Sequence, residues 1–348
     1  MNRFLTTLGR GNRGRPPVWF MRQAGRYHSH YQELKRRHRF VDLCKDPDLA
    51  CEVTLGPVNE FGFDAGILFS DLLFPLEVMG QGLDYNPGPE LAWRLRGPAD
   101  LGRLRGGVGL AEGLRFQGEA LRRIRAALPA DKGLLGFVGG PVTLFVYAVE
   151  GSHKGDLSSA IAGFEDGRFE GFCERLTELL AENMADQARS GADTVAVLDT
   201  CAGDIPRDLF ERHGIPALER LLRAFHGRCP GVPVTYYSRH TGPDHWRRLA
   251  ELPIACFGVD WHHPMPRVLE QLGGRGAVQG NVDPEWLLLP PEELEARLRR
   301  FFTEMSSVPA DLRAGWICGL GHGVLQQTPE KNVHLFLRLQ REFFPEAP

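Results

Sequence analysis

The sequence predicts a single-domain α/β protein, a (β/α)8 TIM barrel with its cleft at the C-terminal ends of the strands. Three observations support this fold. Eight short apolar runs bounded by Gly, Pro or Asp recur along the chain, amphipathic stretches separate them, and no repeat or Pro/Ser-rich linker divides them. Nearly continuous apolarity is typical of parallel strands covered on both faces. Strands alternating with helices over about 300 residues favour a barrel.

The predicted strands are VWFM (18–21), AGILFS (65–70), LLGFVG (134–139), TVAVLD (194–199), VTYYS (234–238), ACFGVD (255–260), GAVQG (276–280) and GWICGL (315–320). Residues 118–128, 172–191 and 290–305 have apolar side chains at three- and four-residue spacing, which predicts helices. The second of these ends at Gly191, a favourable C-cap.

The domain prediction has two parts. Residues 1–16 are basic, lack an apolar core segment and are predicted to be a flexible tail, and residues 17–348 form the barrel. The Gly/Pro-rich segment 80–90 is predicted to be a long βα loop rather than a domain boundary.

Composition excludes several classes of protein. Hydrophobic residues make up 43% of the 348 residues, charged residues 24%, and the net charge is −3. This balance gives no indication of a nucleic-acid or membrane partner, and no apolar run approaches the roughly 20 residues of a transmembrane helix. The seven cysteines are scattered and include no C-x-x-C pair. We therefore expect reduced thiols in a cytoplasmic protein.

Polar side chains follow the predicted strands at one end of the barrel, where TIM barrels place their active sites. They are Arg22, Arg26, Asp71, Tyr147, Asp199, Thr200, Asp260 and His322. Lysine is absent from these strand ends, which argues against Schiff-base chemistry.

Each of these residues also has a structural explanation. Arg22 and Arg26 follow an apolar run, and a guanidinium there needs either an internal carboxylate or an anionic ligand. Asp71 lies within the apolar ILFSDLLFPL and needs donors or an opposite charge. The phenol, hydroxyl and imidazole could be packing, capping or turn residues, and the two other aspartates could end strands or cap helices.

Seven motifs carry a resemblance to one family. They are PVWFMRQAGR (17–26), FDAGILFSDLL (63–73), GPVTLFVYAVEG (140–151), LDTCAG (198–203), GVDW (258–261), AVQGNVDP (277–284) and GLGHGVLQQTP (319–329). In this order and spacing, from about residue 3 to residue 344, the chain resembles the uroporphyrinogen decarboxylases of haem biosynthesis.

The resemblance implies a cofactor-free, metal-free homodimer. It also implies removal of carbon dioxide from the four acetate arms of uroporphyrinogen III, giving coproporphyrinogen III. Its motifs assign substrate contacts to Arg22, Gln23, Ala24, Gly25, Arg26, Asp71, Tyr147, Thr200 and His322. Among these, the resemblance makes Asp71, Arg22, His322 and Tyr147 the catalytic set.

The chemistry of the substrate suits these residues. Arginine binds carboxylates in a bidentate fork, and one ionised Asp71 can accept the pyrrole N–H groups and stabilise a protonated, cationic ring. The proton donor stays open: Arg22 is a poor acid because its pKa exceeds about 12, while His322 and Tyr147 are easier donors.

Some positions depart from the family pattern, notably the HSHY segment with His28 and His30, Val142, Gly319 and SRHTG (238–242).

Two alternatives remain. One is the related zinc-dependent corrinoid methyltransferases, although the H-x-C element expected after strand five is missing and only Cys318 lies near the last strand. The other is a non-catalytic tetrapyrrole- or polycarboxylate-binding protein.

Overall fold

The computed structural model describes residues 2–346 and contains one parallel sheet and one small ribbon. The strands are β1 (Ala65–Ile67), β2 (Leu83–Tyr85), β3 (Pro89–Leu91), β4 (Gly133–Gly139), β5 (Thr194–Leu198), β6 (Val234–Tyr237), β7 (Cys256–Gly258), β8 (Ala277–Val282) and β9 (Trp316–Leu320). The curled sheet has seven parallel strands in the order β1-β4-β5-β6-β7-β8-β9, and β2 pairs antiparallel with β3.

Helices connect and cover the strands. They are α1 (Arg3–Leu8), α2 (Ser29–Arg37), α3 (Phe40–Lys45), α4 (Pro47–Phe61), α5 (Phe74–Leu76), α6 (Arg115–Ala127), α7 (Pro141–Glu150), α8 (Ser158–Glu165), α9 (Arg168–Arg189), α10 (Arg207–Leu209), α11 (Ile215–Arg228), α12 (Pro243–Leu249), α13 (Met265–Leu272), α14 (Pro291–Ser307), α15 (Ala310–Arg313) and α16 (Glu330–Phe343). Three of them, α6, α9 and α14, confirm the predicted helices. Gly191 lies two residues past α9 with a φ of 107°, the left-handed geometry that glycine adopts at helix ends.

Seven of the eight predicted strands occur in the sheet, and the first does not. Residues 18–21 contribute one parallel bridge, Val18 to Cys318, flanked by a 2.8 Å hydrogen bond from the Asp64 N–H to the Val18 carbonyl. Pairing stops there because the Phe20 N–H donates to the side-chain oxygen of Gln23 (3.1 Å) instead of to a neighbouring strand. The structure therefore has a seven-stranded parallel sheet where eight strands were expected.

Most of the predicted N-terminal tail packs against the sheet. Phe4, Thr7 and Leu8 lie on one face of α1, at the spacing of a helical stripe, and all three are buried. Arg15 forms two hydrogen bonds to the carboxylate of Asp64, at 2.8 and 3.0 Å. Residues 2–16 thus differ from the flexible tail that the sequence predicts, while Met1 and residues 347–348 lie outside the described part of the chain.

The Gly/Pro-rich segment 80–90 follows β1 and folds into the β2–β3 ribbon, so the loop prediction was right in position but missed the hairpin. The ribbon places the buried hydroxyl of Tyr85 beside the region that follows β1. No helix within residues 2–346 is both long and apolar enough to cross a membrane.

Candidate active site

The loop that follows Met21 exposes two arginines and is fixed from within by Gln23. The Gln23 side chain is buried, accepts the Phe20 N–H and donates to the carbonyl of Ala65 at 2.9 Å. Arg22 is exposed and its φ is 62°, a left-handed conformation that a non-glycine residue adopts only at a cost. The surrounding contacts therefore hold Arg22 in a strained backbone with its side chain free.

Arg22 and Arg26 have no counter-ion in the described part of the chain. Among residues 2–346, no carboxylate lies within salt-bridge distance of either guanidinium, and both residues are exposed. Between them, Ala24 is buried, and an added Cβ at Gly25 would stand 3.1 Å from the Arg22 carbonyl oxygen. Within residues 2–346, two positive charges, four positions apart in the chain, are thus exposed without a salt bridge.

Asp71, after β1, is half-buried and only partly satisfied. One carboxylate oxygen accepts the Leu73 N–H at 2.8 Å, and the Tyr85 hydroxyl from the ribbon faces the same carboxylate. Burial raises the pKa of Asp71, opposed by the hydrogen bond from Leu73, by the nearby Tyr85 hydroxyl and by the charge of Arg22. A carboxylate can accept about four hydrogen bonds, so Asp71 retains capacity for donors on a ligand.

Tyr147 lies on α7, and Asp199 anchors that helix. The Asp199 carboxylate accepts the Thr143 N–H at 2.7 Å, and burial raises the pKa of Asp199 to about 6. Burial likewise raises the pKa of Tyr147 to about 12, so the phenol is neutral at physiological pH. Its oxygen lies 2.5 Å from Nδ1 of His153 in the loop after α7.

Thr200 begins a short 3-10 helix, Thr200–Gly203, directly after β5 and Asp199. It is half-buried, and within residues 2–346 its side chain has no hydrogen-bond partner. This placement at the carboxyl end of a central strand agrees with a ligand-facing hydroxyl.

His322 follows β9 and is held as a neutral acceptor. Its Nδ1 accepts the Gly323 N–H at 2.6 Å, and its ring packs on Tyr237 with centroids 5.8 Å apart. Burial, then the charges of Arg22 and Arg239, lower the pKa of His322 to about 3. The side chain of Arg22 crosses Gly323 so closely that an added Cβ would stand 2.5 Å from its Cδ, which brings the first and last loops together.

The structure brings four of the predicted residues into one electrostatic group. The charge of Arg22 perturbs the pKa values of Asp71, Tyr147 and His322. The Gln23 side chain is directed inward, and Arg26 acts on a different residue, lowering the pKa of Tyr31 against the effect of burial.

Three residues near this group escaped sequence reasoning: Tyr85, His153 and Arg239. Arg239 follows β6, pairs with Asp204 at 3.0 Å, and its charge acts on both Tyr147 and His322. A signal existed for Arg239, because it follows a predicted strand at the same end as the others. Tyr85 and His153 lie in loops, and no sequence pattern indicates their contacts.

A separate cluster could in principle hold a metal ion. Within residues 2–346, the group of potential ligand atoms close to one another comprises His28, Glu60 and Glu330. His28 is buried with its Nε2 2.6 Å from the Glu60 carboxylate, and its Nδ1 has no partner. A metal-bound imidazole normally donates its other N–H to an acceptor, so we interpret the cluster as a structural contact between α2, α4 and α16.

Cys318, the thiol on which the zinc hypothesis depends, is buried within β9. Its pKa is raised well above the ordinary value by burial, and the charges that act on it are those of Arg15 and Asp64. These two residues lie at the amino end of the sheet, whereas His322 lies at the carboxyl end. Nothing in this arrangement supports a zinc thiolate beside His322.

Arginines without counter-ions, a half-buried carboxylate, a neutral phenol and a neutral imidazole thus meet at the carboxyl ends of a parallel sheet. The fold and site are those of an α/β enzyme with cationic and neutral polar groups at the carboxyl ends of its parallel strands. The family model described as "Uroporphyrinogen decarboxylase (URO-D)" matches residues 1–343, and the chain belongs to this family.

Curated relatives agree with this assignment. The uroporphyrinogen decarboxylase of Anaeromyxobacter dehalogenans is 36% identical over 341 residues, covering 95% of this chain and 96% of the relative. That of Myxococcus xanthus is 37% identical over 330 residues, covering 94% and 92%. Among solved structures, a methyltransferase from Methanosarcina mazei superposes with a TM-score of 0.76 at 19% identity over 98% of both chains, a similarity of fold alone.

Proposed function

We propose that this chain decarboxylates the four acetate arms of uroporphyrinogen III to methyl groups, giving coproporphyrinogen III and carbon dioxide in porphyrin biosynthesis. The observation that carries the proposal is the guanidinium of Arg22, which has no salt bridge within residues 2–346 and whose charge acts on the partly satisfied carboxylate of Asp71. Eight carboxylates on the substrate supply the missing negative charge, and four pyrrole N–H groups supply the missing donors.

Arg22 and Arg26 bind carboxylate arms. A planar guanidinium can engage a carboxylate with two parallel hydrogen bonds, which fixes the arm as well as attracting it. The backbone of Gln23, Ala24 and Gly25 forms the edge of the same subsite, since the Gln23 side chain is occupied internally.

Asp71 accepts the pyrrole N–H groups at the centre of the macrocycle. Protonation of a pyrrole carbon makes the ring cationic, and when the C–C bond to the carboxylate breaks, its electron pair neutralises that cation. The ionised Asp71 stabilises the ring most in this charged state, so it accelerates the reaction rather than only tightening binding. Because the protonated ring is itself the electron sink, we propose that no cofactor takes part.

His322 and Thr200 complete the binding surface. With a pKa of about 3, His322 is neutral at physiological pH and offers Nε2 as a hydrogen-bond donor, since Nδ1 already accepts the Gly323 N–H. We assign it to orientation of a carboxylate arm, and Thr200 to a hydroxyl contact beside it.

We further propose that residues 17–348 form one catalytic barrel, closed between β9 and β1 by the segment at Val18. The Val18–Cys318 bridge and the hydrogen bond from Asp64 to Val18 support this closure. The homodimer and cytoplasmic location implied by the resemblance remain proposals of the same kind, and sedimentation of the purified protein would test the dimer.

The proposed function is tested by an anaerobic assay with uroporphyrinogen III, in which products are separated by their number of carboxylates. We expect conversion to the tetracarboxylate without added metal or cofactor. Tight binding of coproporphyrin without release of carbon dioxide would instead identify a tetrapyrrole-binding protein, and activity that requires stoichiometric zinc would favour the methyltransferase class.

A further inference from the structure

The loop after α7 positions a histidine on the predicted catalytic tyrosine. Gly151, with a φ of 75°, ends the helix, and the chain returns so that Nδ1 of His153 lies 2.5 Å from the Tyr147 hydroxyl oxygen. The buried side chain of Leu157 anchors the far end of the loop, where Glu150 also accepts the Ala160 N–H at 2.7 Å. The loop is therefore fixed at both of its ends, and this keeps His153 in contact with Tyr147.

Both partners are neutral at rest. Burial, followed by the positive charges of Arg239 and Arg22, lowers the pKa of His153. Burial raises the pKa of Tyr147. Within residues 2–346, Nε2 of His153 has no hydrogen-bond partner, and the residue is only half-buried, so water reaches this nitrogen. The pair thus connects the cleft to solvent through a phenol and an imidazole.

The other groups in the site are worse placed to supply a proton repeatedly. His322 is surrounded by the charges that keep it neutral, and its Nδ1 is occupied by the Gly323 N–H. Within residues 2–346, Arg22 has no hydrogen-bonded group that could return a proton to it. Tyr147, by contrast, is hydrogen-bonded to His153, and His153 is in contact with water.

We propose that His153 relays solvent protons to Tyr147, which is the proton donor of the decarboxylation; this inference rests on the proposed function. Each turnover replaces one carboxylate by one proton. The C–C bond breaks, carbon dioxide leaves and its electron pair enters the ring. The Tyr147 hydroxyl then gives its proton to the resulting methylene carbon, and the proton that had made the ring cationic leaves the pyrrole carbon for solvent, so one proton is taken up per carboxylate lost. The phenolate takes the Nδ1 proton of His153 as Nε2 takes one from a hydronium ion of the solvent. The imidazole, now protonated at Nε2, regains its Nδ1–H form by proton exchange with water, which restores both groups.

The test compares His153→Ala with His153→Asn in the full-length protein. Asn places an amide near the position of Nδ1 and keeps a hydrogen bond to Tyr147, but it cannot pass a proton from one atom to another. We expect both variants to lower kcat by about 10- to 100-fold with little change in KM, and added imidazole to restore part of the activity of His153→Ala. Tyr147→Phe is expected to lose more activity and to gain nothing from imidazole. Lys154→Ala, an exposed neighbour, serves as the control and should behave as the wild type.

A His153→Asn variant with wild-type kcat and an unchanged solvent isotope effect would overturn the relay, leaving His153 only to orient Tyr147. Full activity of Tyr147→Phe would overturn the assignment of the donor. Both outcomes differ from failure of the proposed function, in which the wild-type protein itself releases no carbon dioxide from uroporphyrinogen.

Discussion

At each end of the sheet lie one arginine and one aspartate, and the two sets differ in burial and in hydrogen bonding. At the amino end, Arg15 and Asp64 are both buried, are joined by two hydrogen bonds, and Asp64 also accepts the Val18 N–H at 2.8 Å. At the carboxyl end, Arg22 is exposed without a salt bridge to any residue from 2 to 346, and Asp71 accepts few hydrogen bonds.

The difference separates residues that stabilise the fold from residues that serve a ligand. The first pair satisfies its own charges, so its contribution belongs to the free energy of unfolding. At the carboxyl end, Arg22 and Asp71 leave charge unsatisfied in a region where burial raises the pKa of Asp71. The unsatisfied charge costs stability, and only a bound ligand compensates for this cost.

The largest effect is expected from breaking the amino-end pair. Arg15→Gln removes two hydrogen bonds from the buried Asp64 and leaves Arg3, at 3.2 Å, as its charge partner, so the free energy of unfolding should fall by about 3 kcal/mol, the lower end of the loss for a broken buried pair. Urea unfolding measures this change. The matched control is Arg13→Gln, which removes an exposed ion pair with Asp311 (2.7 Å) and should change stability little. If Arg15→Gln and Arg13→Gln lowered the free energy of unfolding by similar small amounts, burial would not distinguish the Arg15–Asp64 pair from the Arg13–Asp311 pair.

Asp71→Asn is expected to have the converse effect. The kcat should fall by about 100- to 1000-fold because the neutral amide cannot stabilise the cationic ring. Stability should hold or rise, since a buried charge is removed. The matched control for the assay is Asp84→Asn, at an exposed aspartate in the β2–β3 ribbon. An active Asp71→Asn enzyme would rule out the role in cation stabilisation.

A milder change in the same region is Arg22→Lys. Lysine keeps the charge but loses the bidentate fork, so KM should rise by about 10-fold with the melting temperature unchanged. Arg36→Lys, on the exposed face of α2, should leave KM as it is. Loss of thermal stability in Arg22→Lys would instead indicate an internal partner.

The pH dependence of stability is the smallest effect when it is measured over one pH unit. The pKa of His322 falls from 6.5 in the unfolded chain to about 3 in the fold, so below pH 6.5 the unfolded chain binds a proton that the folded protein does not. Stability should therefore decrease as pH falls from about 6.5 towards 3, by at most about 1.4 kcal/mol per pH unit.

His322→Asn should flatten this part of the stability curve measured by urea unfolding at several pH values. Asp199, whose pKa is raised to about 6, acts in the opposite direction between about pH 6 and 4, because the folded state takes up its proton first. An unchanged curve in His322→Asn would mean that His322 titrates normally.

Sequence periodicity predicted seven sheet strands and three helices because these depend on local apolar patterns. The missing strand at residues 18–21 is equally apolar, but its Phe20 N–H donates to the side chain of Gln23, a contact that no pattern of hydrophobicity describes. Helix α1 was missed because six residues with one apolar face are too short to stand out from a basic segment.

The same limit applies to the site. Arg22, Asp71 and His322 could be predicted because each follows a strand directly, and parallel strands bring their carboxyl ends together. The contact between Tyr147 and His153 depends on how one loop folds back after α7. Arg15 and Asp64 form an ion pair although they are 49 positions apart in the chain. The sequence predicts that Arg15 lies in a flexible tail and Asp64 just before a strand.

That amino-end pair also joins the two ends of the polypeptide. Arg15 contacts Glu346 at 3.0 Å, Arg3 contacts both Asp64 and Glu346, and Gln340 donates to the Pro16 carbonyl at 2.9 Å. The first and last described segments of the chain therefore lie against each other. A circular permutant, with a short linker from residue 346 to residue 2 and the chain opened in the exposed loop at Gly231 between α11 and β6, should keep the sheet and the site intact.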